Sequence, residues 1–166
     1  MTNNRTPITI PPTPGDKLFD NIAWVLLVIL WVASIYNVFT LPQIIPIHFN
    51  GSGEADRFGD KTTLLLLPVL GSVILLGLTK INHYPQIFNF PVTVTSDNAS
   101  RQYPLAQRMI RFLKLSIVLI FLLINLFTTL TVKGMAQGLA SWLLPVILVL
   151  VFIPTLWFTI KSLQLK

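Results

Sequence analysis

Asn21 to Gly53 read NIAWVLLVILWVASIYNVFTLPQIIPIHFNGSG, 33 positions without a single Asp, Glu, Lys or Arg. A helix crossing a bilayer core needs about 17 to 25 mostly apolar residues, and Ile22–Phe39 supplies them. Three further charge-free windows follow, Thr62–Thr79, Leu115–Val132 and Gly134–Ile160. Spans are therefore expected at Ile22–Phe39, Thr62–Leu78, Leu113–Leu130 and Ser141–Ile160. Each is read as a helix, because lipid-embedded backbone is satisfied only in helices and closed barrels, and barrel strands are shorter and alternate in polarity. The expected fold is all-α, an integral membrane four-helix bundle with a short ordered extracytoplasmic loop. A Pro-rich tail over residues 1–20 precedes one transmembrane domain over 21–166. Asp16 and Asp20 precede the first span and no small-residue cleavage site follows it, so it is read as an uncleaved helix rather than a signal peptide.

Composition agrees with this reading. Only 11% of the 166 residues are charged and 53% are hydrophobic, where soluble domains carry about 25% charged residues. A soluble enzyme with a polar surface, a disordered chain and a disulfide-stapled domain are excluded, and the absence of Cys removes thiol chemistry. The +6 balance lies beside apolar spans without the interleaved aromatics of a nucleic-acid platform. It fits anionic headgroups, so the expected partner is the lipid bilayer and not nucleic acid.

An even number of spans puts both termini and the central loop on one side. Arg5, Lys17, Lys80, Arg101, Arg108, Arg111, Lys114, Lys161 and Lys166 fall there, against Arg57, Lys61 and Lys133 opposite. By the positive-inside bias both termini are expected in the cytoplasm. Trp24 and Trp157 near one face, with Tyr36 and Trp142 near the other, fit interfacial anchors. Pro68, Pro145 and Pro154 are expected to kink their helices. Gly71, Ser72 and Gly77 permit close helix approach, and Asn37 and Asn125, the only amides within spans, are read as interhelical glue. Leu66-Leu67-Pro68-Val69 recurs as Leu143-Leu144-Pro145-Val146, which raises a two-plus-two repeat of the kind some transporters use.

The first outer loop is the most specific part of the chain. Pro42 and Pro46 end the helix, Ile47-His48-Phe49 is strand-like, and Asn50-Gly51 with Gly53 supplies turns. Asp60 is a plausible N-cap for span two, and Ile44, Ile45, Ile47 and Phe49 are expected to turn down toward the membrane. Pro46, His48, Asn50, Gly53, Glu54 and Asp56 form the candidate binding motif. Their spacing matches no metal-ligand set, and no His-Glu-x-x-His, nucleophile elbow or P-loop is present. No catalytic residue, metal or cofactor is assigned.

Leu41-Pro42, Pro46, His48-Phe49-Asn50, Gly53 and Asp56, running into an apolar helix with Pro68, resemble the function-unknown domain at the N-terminus of SdpI-like immunity membrane proteins. Asn89-Phe90-Pro91-Val92, Ser96-Asp97-Asn98-Ala99 and Arg101-Gln102-Tyr103, leading to Arg108 and Lys114, are similar to the cytoplasmic loop of stand-alone bacterial members. The resemblance covers roughly Trp24 to Leu115. It implies a membrane protein that protects the producing cell from a secreted, membrane-active peptide toxin; the chain is expected in a bacterial cytoplasmic membrane, its outer loop contacting such a peptide or an envelope protein. Some members also hold a transcriptional repressor at the membrane. The chain stops after four spans, short of full-length immunity proteins.

The central loop, Lys80–Phe112, is long and interrupted by Pro85, Pro91 and Pro104. From Pro104 onward Leu105, Met109 and Phe112 recur at helical spacing, so a helix is expected to enter span three there. Arg108, Arg111 and Lys114 step along another face, and with Arg101 form a cytoplasmic basic face for anionic lipid or a cytoplasmic regulator. Ile8–Pro14 is read as a floppy tail. The leading reading is a non-enzymatic binding, immunity or signalling protein, with homo-oligomerisation left open. The alternative is a small transporter or accessory subunit with a polar cavity between spans two and four. A metal-dependent membrane enzyme ranks third.

Overall fold

The computed structural model describes residue 8 and residues 10–165. Arg5 and Lys166, both used in the charge count above, lie outside the described residues. The elements are α1 (Pro14–Thr40), β1 (Ile44–Phe49), β2 (Ala55–Asp60), a 3₁₀ turn (Lys61–Leu65), α2 (Leu66–Ile81), a second 3₁₀ turn (Pro85–Ile87), α3 (Ser96–Val132) and α4 (Leu143–Gln164). Four helices, counting the first 3₁₀ turn with α2, are long and apolar enough to cross a membrane. The chain is a multi-pass membrane protein. It is not purely all-α, because β1 and β2 pair into an antiparallel hairpin. One end of the bundle carries this hairpin and the α3–α4 loop; the other carries both terminal segments and the α2–α3 loop.

α3 is the spine, with α1, α2 and α4 all packed on it. Its 37 residues measure about 55 Å at 1.5 Å per residue, so it projects well beyond a core of ~30 Å. It begins at Ser96 and not at Pro104, which lies inside the helix. The reason is a stronger start signal upstream. Thr95 N donates to Asn98 Oδ1 at 2.9 Å, and Asn98 Nδ2 ties the turn to Thr93 O at 3.1 Å. Burial of Ala99, Gln102 and Tyr103 then offsets the one backbone bond that Pro104 removes.

α1 likewise starts inside the stretch read as tail. Pro14 sits in the first turn, where its missing N–H costs least. Thr13 and Asp16 cap each other, with Thr13 N on Asp16 Oδ2 at 2.8 Å and Asp16 N on Thr13 Oγ1 at 3.2 Å. Residues 14–20 therefore belong to the helical domain. Ile8 and Ile10, expected to be floppy, pack against a cluster of Val94, Ala99 and Tyr103.

The prolines also behave differently from expectation. Pro68 and Pro145 are each the third residue of their helix, in a first turn whose amides have few intrahelical acceptors. Only Pro154, in α4, and Pro104 are helix-interior prolines among the described residues. The repeated Leu-Leu-Pro-Val thus opens two helices at the hairpin end.

The helices are held by packing and by polar contacts at different depths. Ala23, Leu27, Leu30, Leu75 and Val118 form the apolar centre. Gly71 leaves room for Leu27, whose Cδ1 lies 3.2 Å from where a Cβ would stand. Trp31 Nε1 donates to Ser72 Oγ at 3.0 Å. Nearer the hairpin, Asn37 Nδ2 donates to Asn125 Oδ1 at 3.0 Å and to Thr129 Oγ1 at 2.7 Å, while Asn125 Nδ2 donates to Ser34 Oγ at 2.9 Å. Lipid provides no hydrophobic drive between helices, so such bonds fix which faces meet. Replacing Asn125 with Leu should remove the donor to Ser34, leave Asn37 with Thr129 alone and cost about 1–3 kcal/mol. Reversible unfolding in detergent would check this, and unchanged stability would mean that the amides contribute nothing to association.

Candidate functional site

The hairpin is built by the motif residues themselves. Asn50 organises the turn: its Oδ1 accepts from Ser52 N at 2.9 Å and Glu54 N at 3.0 Å, and its Nδ2 donates to Glu54 Oε2 at 3.0 Å. Its backbone N–H donates to Glu54 O at 2.9 Å. His48 Nδ1 lies 2.5 Å from Asp56 Oδ1, and both side chains are about half exposed. Pro46 pairs with Phe58 in the ladder, which then skips Ile47 and resumes at His48 opposite Arg57. The bulged Ile47 lies over Gly59, where a Cβ would fall 2.7 Å from its Cδ1.

Within the protein the apolar side chains of the loop divide. Ile45 alone of the four loop apolar residues is buried, in a cluster with Leu41 and Leu64. Ile44 and Ile47 are exposed, as is Phe58.

Two ties hold the hairpin in place. At its base Lys61 Nζ donates to Leu41 O at 2.9 Å and Gln43 bonds Asp60. Asp60 Oδ1 caps the following 3₁₀ turn through Thr62 N at 2.8 Å. The Thr62 hydroxyl and amide hold the Asp60 carboxyl below the usual carboxylate range. At its tip Leu139 N donates to Gly53 O at 2.7 Å. Gly53 has φ 85° and Gly138 φ 97°, and a Cβ on either would strike the other strand of this clasp, 1.9 Å from Leu139 O and 2.1 Å from Gly53 O respectively. Beneath the tip lies a cavity of about 210 Å³, lined by Phe49, Gly53, Leu139, Leu144 and Ile147 among others.

At the opposite end the basic residues divide. Arg101 and Arg108 are exposed, whereas Arg111 and Lys114 are buried. They point into the protein and do not continue a lipid-facing stripe. Arg111 Nε donates to Asp20 Oδ2 at 3.0 Å, Lys114 Nζ to Asp20 Oδ1 at 2.5 Å and to Thr79 Oγ1 at 3.1 Å. Arg108 Nε reaches Asp16 Oδ1 at 3.2 Å. Burial of these cations is tolerable because each meets a carboxylate. Close by, Gln102 holds the end of α4, donating to Ser162 O at 2.9 Å and Leu165 O at 3.1 Å and accepting from Ser162 Oγ at 2.6 Å.

The structure thus gathers Pro46, His48, Asn50, Gly53, Glu54 and Asp56 into one hairpin and splits the basic face in two. Sequence reasoning missed the carboxylate partners Asp16 and Asp20, and the clasp residues Gly138 and Leu139. The first pair carried a usable signal, since two acids four apart on one helix face complement cations three apart on another. Among the described residues no three His, Cys, Asp or Glu side chains group as metal ligands. The cavity beneath the tip is lined by the hairpin, the α3–α4 loop and α4, and by no residue of α2.

Residues 25–71 match the model of a domain of unknown function, DUF1648. They run from α1 through the hairpin into α2, the region that carries the loop motif. An uncharacterized protein of Archaeoglobus fulgidus is 36% identical over 89 residues, 49% of this chain and 49% of its own length. The chain therefore spans about half the length of the curated relative it matches. No solved structure matches it.

Proposed function

We propose, taking the DUF1648 match over residues 25–71 as premise, that the chain is a non-enzymatic membrane binding protein whose clasped hairpin faces outward and receives an amphipathic peptide or envelope partner. The observation that carries this reading is the surface of the hairpin. Exposed Ile44, Ile47 and Phe58 lie on the same hairpin as the exposed His48–Asp56 pair, and the tip of that hairpin covers the cavity under Gly53. A ligand with one apolar and one polar face would use both. The rigid turn and clasp limit the ordering cost of binding. The excess of Lys and Arg at the opposite end supports an outward hairpin.

The test is survival of a sensitive bacterium expressing the chain, challenged with membrane-active peptides. Protection is expected from the wild type and loss of it from His48→Ala and Asp56→Ala variants. A Ser52→Cys variant, in a chain with no other Cys, should react with an impermeant maleimide from outside. Labelling only after lysis, or no protection despite verified insertion, would overturn the reading.

A further inference from the structure

At the terminal end α1 and α4 both lean on α3 but leave a cleft between them, a cavity of about 520 Å³. Its walls are apolar, with Phe19 from α1, Met109 and Phe112 from α3, and Val149, Ile153 and Trp157 from α4. The volume lies within the roughly 300–1,000 Å³ typical of small-ligand pockets. Val149 and Ile153 are more than half exposed, so the cleft adjoins surface that otherwise faces lipid tails.

The rim is charged, with Asp16, Arg108 and Arg111. Arg111 is buried and committed to Asp20 and Asp16, at 3.0 and 3.8 Å. Arg108 differs. Its side chain is 50% exposed and meets Asp16 through Nε alone, at 3.2 Å. Its terminal amino groups keep the planar fork that fits a phosphate. Arg108, Arg111 and Lys114 face Asp16 and Asp20, so the cluster retains one net positive charge. The height is also right. The charge-free window of α1 starts at Asn21, which places Asp16 and Arg108 at headgroup level and the cleft below them at tail level.

We propose that this cleft is a binding site for one anionic phospholipid, with an acyl chain against Phe19, Phe112 and Ile153 and the phosphate on Arg108. A zwitterionic lipid carries the same phosphate but brings its own cation, which the net positive rim disfavours. An apolar cleft under a single available guanidinium therefore selects for headgroup charge. The site is independent of the hairpin and of its ligand.

The test is native mass spectrometry of the full chain from detergent, with equimolar phosphatidylglycerol and phosphatidylcholine. One retained phosphatidylglycerol is expected, preferred by about fivefold, the effect of one basic residue at an anionic surface. Arg108→Gln should bring the ratio close to one, and Ile153→Trp should reduce retention of both lipids. Thermal melting verifies that each variant is folded, and Val149→Phe replaces Ile153→Trp if the latter is not. Millimolar glycerol 3-phosphate should not displace the lipid. Equal retention of the two lipids, a preference that survives Arg108→Gln, unchanged retention in the folded groove-filling variant, or displacement by glycerol 3-phosphate would overturn the proposal.

Discussion

Replacing Asp20 with Asn is expected to destabilise the chain by about 3 kcal/mol, the lower end of the range for removing one partner of a buried ion pair. Asp20 accepts from Arg111 and from Lys114, whose side chains are 9% and 1% exposed. Without its charge Lys114 keeps only neutral acceptors, the amide oxygen at position 20 and the Thr79 hydroxyl. The lower end applies because Asp20 itself is 28% exposed and water partly screens what it loses. Reversible unfolding in detergent measures the loss. A Lys114→Met change added to Asp20→Asn should restore much of it, since a buried cation without a partner is then absent. If Asp20→Asn alone leaves stability unchanged, the pair does not hold α1 to α3.

Gly53→Ala is expected to release the hairpin from the α3–α4 loop while leaving the bundle assembled. A left-handed backbone costs a non-glycine residue about 1–2 kcal/mol, and the new Cβ would stand 1.9 Å from Leu139 O. The clasp bond from Leu139 N adds about 1 kcal/mol when lost. Together these amount to about 2–3 kcal/mol, so the Leu139 amide should exchange roughly 30- to 150-fold faster. Hydrogen exchange reads it directly. Gly51→Ala is the control, because a Cβ there meets nothing within 4 Å. Equal behaviour of the two variants would show that the clasp does not form.

The four spans were legible because charge avoids hydrocarbon, and four windows without charge mark four crossings. The hairpin was half legible. Asn50-Gly51 and Gly53 announce a turn, and Asp60 announces a cap, but the bulge at Ile47 depends on Gly59 across the ladder. That pairing decides where the strand's alternation breaks. The start of α3 was misplaced because Pro104 is a strong local stop, whereas the burial of Gln102 and Tyr103 that overrides it comes from contact with α4 and the terminal segment. The ion pairs left only a spacing signal, acids four apart and cations three apart, which does not say which charges meet. Asp20 and Lys114 stand 94 positions apart, and a count made for orientation treats both as isolated charges.

The amide cluster between α1 and α3 bears on how the chain is made. The stretch matched to DUF1648 ends at Gly71, yet Asn37 within it finds its partner 88 residues later. α1 and α2 are synthesised before α3, so Ser34 and Asn37 precede every partner they have in the fold. The first half taken alone therefore holds two polar side chains whose partners lie outside it. Only α3, with Asn125 and Thr129, completes them.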